Sequence, residues 1–170
     1  IYMDYTKLLI IIGIIIVVFV IADIIYEKIK FINIDGFRVL RFGPNKEKSV
    51  EILHELNNRT KKLINYLKSV YFTRPQGVNE KEKSMIKRLI EKYDEDDYRE
   101  EDNETYSMTK GSSIHICLYN RGDGKFVDIN TLMFITIHEL SHVITPVYGH
   151  DAFFWDNNRW LLKEAVSAGI

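Results

Sequence analysis

The residues best able to do chemistry in this chain are His138, Glu139 and His142, within the sequence His-Glu-Leu-Ser-His. Two histidines four positions apart lie on one face of a helix, so both imidazoles can bind the same metal ion. Glu139 can then take a proton from a water molecule that the metal activates. The HExxH pattern therefore predicts a zinc-dependent hydrolytic site.

The surrounding sequence predicts a mostly buried helix that presents this motif. An apolar run at residues 132–137 precedes it, Asn130 and Thr131 offer a helix cap, and Pro146 limits continuation of the helix. A buried helix that carries two histidines and a glutamate needs a partner for those polar groups. A bound metal supplies that partner.

A catalytic zinc site generally has a third protein ligand and leaves one position for water. His150 is the first candidate, because a turn that contains Gly149 can bring its ring close to His142. Glu164 is the rival, since many HExxH enzymes take a glutamate from a later helix, here predicted at residues 152–168. Asp151 can cap that helix or hydrogen-bond a ligand histidine.

Three segments carry a resemblance to a known family: residues 138–142, residues 148–151 (Tyr-Gly-His-Asp), and Phe154-Trp155. Together with the lead-in at residues 128–134, they resemble the zinc metallopeptidases of large DNA viruses. Those proteins are in turn similar to the WLM-type and SprT-like peptidases.

This resemblance implies a zincin-like α+β domain that hydrolyses a polypeptide substrate with Zn²⁺ as its cofactor. It implies that His138, His142 and His150 bind the metal and that Glu139 is the general base.

The reaction also needs a donor to the oxyanion that forms on the attacked carbonyl. Tyr148 is the first candidate, because it lies close to His150 in sequence. Tyr106, Lys110 and Arg121 are the alternatives.

The apolar run at residues 8–22 resumes after Asp23 and predicts one membrane-spanning helix through residues 8–26. About 19 helical residues at 1.5 Å each span a hydrocarbon core of about 30 Å. Tyr5 and Tyr26 stand where interfacial aromatic residues are expected. A cleavable signal peptide and a buried core helix are the competing interpretations, and the length of the run disfavours both.

The basic residues around the span predict its orientation. Lys28, Lys30, Arg38 and Arg41 follow the span, whereas Lys7 precedes it. By the positive-inside rule, the C-terminal domain is expected on the cytoplasmic side of a single-pass protein. We therefore expect a membrane anchor at residues 1–30 and a metallopeptidase domain at residues 31–170.

Composition adds two constraints. The formal net charge of the 170 residues is -1, which gives no indication of a nucleic-acid partner. The single cysteine, Cys117, cannot form an internal disulfide, which favours a reducing compartment. We expect Cys117 to be a buried small residue.

Between span and motif, the pattern predicts an α+β unit: a hairpin at residues 31–40, an amphipathic helix through residues 50–70, and a second helix after Asn79. Residues 94–104 carry eight carboxylates and are expected to be a solvated loop.

A second hairpin is expected from residues 105–109 and 114–119. Its second strand is the predicted edge that pairs with extended substrate. His115 on that strand is expected at the surface or edge, and His54 is expected to be structural or exposed.

Two classes of function fit these observations. The first is a membrane-anchored zinc peptidase. The second is a structural membrane or minor capsid protein of a large DNA virus, in the inner membrane of the virion, that retains a peptidase-like fold and contacts other viral membrane or capsid proteins. The intact motif favours the enzyme, because a structural protein need not keep Glu139.

Overall fold

The computed structural model describes residues 5–73, 79–93, 98–102, 106–108 (backbone only), 113–120, 122–147 and 149–170. The described residues form five helices: α1 (Tyr5–Lys30), α2 (Lys46–Thr73), α3 (Glu80–Lys92), α4 (Ile129–Ile144) and α5 (Ala152–Ser167). They also form five strands: β1 (Phe31–Ile34), β2 (Phe37–Leu40), β3 (Tyr98–Glu100), β4 (Tyr106–Met108) and β5 (Ser113–Ile116).

The strands make one mixed sheet in the order β1-β2-β3-β5-β4. The outer pairs, β1 with β2 and β4 with β5, are antiparallel, whereas β3 runs parallel to both β2 and β5. Both predicted hairpins are therefore present, and β3 joins them. In the first hairpin, Asp35 and Gly36 adopt φ values of 50° and 84°, which a tight turn of this kind requires.

Helices α2, α3, α4 and α5 supply the apolar side chains that form a core with the sheet. Leu53, Leu56, Leu63 and Leu67 of α2 are fully buried, as their helical spacing predicted. Helix α4 packs against α2, α3 and α5. The α+β class expected from the sequence is confirmed.

The prediction of a solvated acidic loop at residues 94–104 is wrong in its central part. Tyr98, Glu100 and Glu101 are buried, and the first two belong to β3. The carboxylate of Glu100 accepts hydrogen bonds from the Leu40 amide at 2.8 Å and the Ser49 hydroxyl at 2.9 Å. These donors compensate the burial, which raises the pKa of the carboxyl.

The predicted role of residues 114–119 as an edge strand is also wrong. Strand β5 lies between β3 and β4, so both of its edges are paired, and β4 forms the edge of the described sheet. The expected position of His115 fails for the same reason, because its side chain is fully buried on an interior strand.

Helix α1 differs from the others because none of its residues is buried. Among the described residues it is the one helix long and apolar enough to cross a membrane, by length and composition.

Candidate metal centre

Helix α4 carries the motif, and its beginning is fixed by Asp128. The Asp128 carboxylate accepts hydrogen bonds from the backbone amides of Asn130 and Thr131, at 2.9 Å and 3.3 Å. The helix thus begins at Ile129 and not after Asn130 or Thr131, which corrects the predicted cap. It ends at Ile144, just before Pro146, as expected.

Helix α5 is fastened to α4 by two neighbouring asparagines. The Asn158 side chain donates to the Ser141 hydroxyl at 3.0 Å, and the Asn157 side chain donates to the Thr145 hydroxyl at 3.1 Å. All four residues are buried. Sequence reasoning missed this brace, although adjacent asparagines inside a helix with an apolar face were a signal for it.

The two histidines of the motif meet His150 in one cluster. The Nε2 atom of His150 lies 3.0 Å from the Nε2 of His138 and 3.1 Å from the Nε2 of His142. Gly149, with φ of 94°, provides the left-handed backbone that turns the chain towards the cluster.

Aromatic rings support the imidazoles. The Phe154 ring is fully buried and stacks on His142 at a centroid distance of 4.4 Å. Trp155 is 45% exposed, and its ring centroid lies 5.8 Å from the ring centroids of both His138 and His150. Phe154 and Trp155 lie in the first turn of α5, so the asparagine hydrogen bonds between α5 and the end of α4 also position these two rings beside the histidines.

The donor set suits zinc. Three imidazole nitrogens within 4.8 Å of one another match the three-histidine ligand sets of catalytic zinc sites. Burial, and then the charge of His150, lower the pKa of His138, so its imidazole is held in the neutral form that binds metals. His150 is exposed, which leaves the cluster open to solvent on one side.

Glu139 lies beside His138 on α4, and its side chain is 8% exposed. Glu164, the rival ligand, is half-buried on α5 and hydrogen-bonded to Tyr71. It is not a member of the histidine cluster.

Asp151 caps α5, where its carboxylate accepts from the Phe154 amide at 2.9 Å. Its hydrogen bond to a ligand histidine stays a prediction. The oxyanion donor predicted at Tyr148 lies outside the described residues. So do Lys110, Arg121 and the side chain of Tyr106.

The remaining histidines and the cysteine lie elsewhere in the fold. His54 is exposed and packs edge-on against Phe37, at 4.6 Å between ring centroids, which agrees with a structural or exposed role. Cys117 is half-buried, less than expected, and its thiol donates to the Tyr119 carbonyl at 3.3 Å.

Comparison with known proteins gives relatives of viral origin. The chain is 31% identical over 131 residues to the uncharacterized protein R325 of Acanthamoeba polyphaga mimivirus, which covers 75% of this chain and 64% of that protein. It is 39% identical over 69 residues to the uncharacterized protein 042R of Invertebrate iridescent virus 3, covering 41% and 43% of the two chains. The chain therefore spans less than two thirds of the length of these relatives. No family model matches.

The fold is similar to that of Wss1 from Saccharomyces cerevisiae. The crystal structure of Wss1 superposes with a TM-score of 0.53 at 19% identity, covering 77% of this chain and 87% of Wss1. A Wss1 mutant superposes with a TM-score of 0.52 at 17% identity. At these identities the likeness concerns the fold alone. It supports the zincin-like fold that the resemblance implied, whereas the viral relatives are uncharacterized and do not establish a viral metallopeptidase family.

Proposed function

We propose that this protein is a membrane-anchored zinc peptidase whose metal ligands are His138, His142 and His150. The observation that carries the proposal is the convergence of three Nε2 atoms, at 3.0 Å and 3.1 Å from the central one. A set of like donors on one open site, next to a buried glutamate on the same helix, suits hydrolysis better than a purely structural role.

Zinc held by His138, His142 and His150 would supply a Lewis acid able to lower the pKa of a water molecule and to polarise a peptide carbonyl. Glu139 takes the proton from the attacking water and delivers it to the leaving amine. The burial of Glu139 limits competition from bulk water. Phe154 and Trp155 hold the imidazole planes in the orientation that the site needs.

We propose that substrate adds to the edge of β4. This strand pairs with β5 on one side, forms the edge of the described sheet, and contacts the motif helix α4. Main-chain pairing at such an edge recognises an extended peptide without reading its side chains. The role first assigned to residues 114–119 thus passes to the neighbouring strand.

We propose that α1 crosses a bilayer and anchors the domain at residues 31–170 on its cytoplasmic side. No residue of α1 is buried, and its apolar side chains from Leu9 to Ile29 are largely exposed, which a soluble helix of this apolarity would not tolerate. The core of the remaining chain is formed without α1.

The test of catalysis is Glu139→Gln, which preserves the size of the side chain but removes the proton acceptor. We expect turnover to fall by about 10² to 10⁴, the usual contribution of a positioned base, with zinc still bound. Cleavage of a denatured protein pool and zinc content by atomic absorption are the measurements.

Glu164→Gln is the matched control, since it changes a half-buried glutamate hydrogen-bonded to Tyr71. It should retain both zinc and activity. Equal cleavage by the wild type and Glu139→Gln would refute Glu139 as the base. A zinc-loaded wild type that is inert on every substrate would favour the structural alternative.

The test of the anchor is deletion of residues 8–26. We expect the remainder to leave the membrane fraction on carbonate washing and to keep its cooperative melting, because its core does not include α1. Retention of the truncated protein in the membrane would contradict a single anchor.

A further inference from the structure

The membrane helix and the domain are joined without a linker. Helix α1 ends at Lys30 and β1 begins at Phe31. Arg41, which follows β2, closes the end of the helix. Its amide donates to the Lys30 carbonyl at 2.8 Å, and its guanidinium donates to the carbonyls of Lys28, Ile29 and Phe31 at 2.8 to 3.2 Å. One side chain thus satisfies several of the carbonyls that a helix end leaves unpaired.

Ion pairs reinforce this joint from the sheet. The Lys30 ammonium lies 2.7 Å from the Glu101 carboxylate and 3.0 Å from that of Asp102. Glu27, one turn earlier, lies 2.9 Å from the Arg38 guanidinium. The Lys30 and Glu101 side chains are 15% and 7% exposed, so solvent screens this pair little. The joint therefore fixes the direction of the domain relative to the helix.

Phe42, the residue after Arg41, is an aromatic residue that the contacts of the joint leave exposed to solvent. Its side chain is 83% exposed, more than any other large apolar side chain among the described residues. An aromatic ring this exposed costs solvation free energy unless another apolar phase receives it.

The length of α1 places Phe42 at the level of the lipid headgroups. Residues 8–26 span about 28 Å, close to a hydrocarbon core of about 30 Å, and Lys30 lies about 6 Å beyond Tyr26. The headgroup layer on each side is about 5 to 7 Å thick. The Arg41 amide donates to the Lys30 carbonyl, and the next residue, Phe42, is about 4 Å further along the chain, so it lies close to the level of the helix end.

Positively charged side chains lie near the end of α1, at the level proposed for Phe42. Lys28 is exposed on α1, and the Lys46 ammonium donates to the Arg41 carbonyl at 3.2 Å, close to the end of the helix. Positive side chains beside an interfacial aromatic are the combination found where proteins rest on phospholipid.

We propose that the turn at residues 41–44 is a second membrane contact, in which Phe42 inserts among the phospholipid headgroups of the bilayer that α1 crosses. This inference rests on the proposed anchor. The rigid joint and the inserted ring together hold the domain in one orientation on the membrane.

The test uses the full chain in vesicles of phosphatidylcholine and phosphatidylserine. Single cysteines are introduced by Phe42→Cys, Ile16→Cys and Val166→Cys on a Cys117→Ser background and labelled with an environment-sensitive fluorophore. Lipids with a nitroxide at the headgroup or deep in the acyl chain then quench labels at matching depth.

Ile16 reports the middle of α1, and Val166 is the distant control. Val166 is 74% exposed and accepts a hydrogen bond from the Gly169 amide, while the Gly169 carbonyl accepts from Lys62. Lys62 lies 16 residues along α2 from Lys46, a distance of about 24 Å.

We expect deep-chain quenching at position 16, headgroup quenching at position 42, and no quenching at position 166. Quenching at position 16 with a solvent-exposed label at position 42 would overturn this inference and leave the anchor standing. A solvent-exposed label at position 16 would overturn the anchor, and the inference with it.

Discussion

Two sites in this protein contain histidine, a cluster of three and the single residue His115, and they differ in what surrounds the imidazoles. In the candidate metal centre, three imidazole nitrogens face one another at 3.0 Å and 3.1 Å, and one ring is exposed. In the sheet, His115 is fully buried, 2.6 Å from the Ser113 hydroxyl and 4.0 Å from the Glu101 carboxylate. Glu101 is itself paired with Lys30.

The difference lies in whether the partners are complementary. Around His115, the Ser113 hydroxyl, the Glu101 carboxylate and the cations Arg99, Arg38 and Lys30 offer chemically complementary partners within the chain. In the candidate metal centre the facing atoms are all imidazole nitrogens, which a bound metal cation would stabilise best. A serine, a histidine and a glutamate that lie close together are therefore not by themselves evidence of a catalytic site. Three metal-binding nitrogens on an open face, in contrast, predict a bound metal ion.

The largest expected effect comes from removing a metal ligand. His142→Ala should abolish zinc binding, because two remaining imidazoles do not complete the site. His115→Gln should retain one zinc per chain. The measurement is the zinc content of the purified variants. Full zinc occupancy in His142→Ala would show that the three-histidine cluster is no more a zinc site than the surroundings of His115.

A second expected effect is on stability at acidic pH. Burial, then the charges of Arg99, Arg38 and Lys30, lower the pKa of His115 from 6.5 to about 4. The unfolded chain therefore binds a proton at His115 between pH 6.5 and pH 4, while the native protein does not. This contribution is fully present above pH 6.5 and is lost as the pH falls, by up to about 3 kcal/mol.

His115→Gln should reduce the loss of stability between pH 6.5 and pH 4. The measurement is the melting temperature of zinc-free protein at each pH. The exposed His54 gives the control, since His54→Gln should leave the acid slope of the wild type unchanged. A wild-type slope in His115→Gln would show that other groups cause the acid sensitivity.

The smallest expected effect concerns the turn that delivers the third histidine. Gly149 has φ of 94°, and an added Cβ would meet no atom within 4 Å, so Gly149→Ala introduces backbone strain without a clash. That strain costs about 1 to 2 kcal/mol and should weaken zinc binding about tenfold.

Gly124→Ala is matched to it, because Gly124 also has a positive φ, of 68°, in open space, but it precedes α4 and lies outside the turn that carries His150. It should lower the melting temperature without changing zinc affinity in a competition titration. Equal zinc affinities in the two variants would mean that the turn does not position His150.

Much of the fold follows from local patterns in the sequence. The Asp35-Gly36 turn, the leucine spacing of α2 and the asparagine before α3 each fix an element through residues close in the chain. The grouping of His138, His142 and His150 could be predicted for the same reason, since the three histidines lie within 13 residues of one another.

The errors concern contacts between distant residues. Strand β3 has three residues within an acidic run, and its place between β2 and β5 depends on partners far away in sequence. Because that insertion was not foreseen, β5 was assigned to an edge and His115 to the surface. The buried role of Glu100 likewise depends on Leu40 and Ser49, which no local pattern connects with it.

The absence of spacer residues between α1 and β1 makes the joint sensitive to rotation. Each residue added to an α-helix turns whatever follows by about 100° and moves it by about 1.5 Å. A single residue inserted after Tyr26 would therefore turn the sheet, together with Glu27 and Lys30 and their ion pairs, to a different side of the preceding part of α1. Deletion or insertion in multiples of a full turn should be tolerated far better, so the length of α1 sets the rotational angle of the domain about the helix axis as well as its distance along that axis.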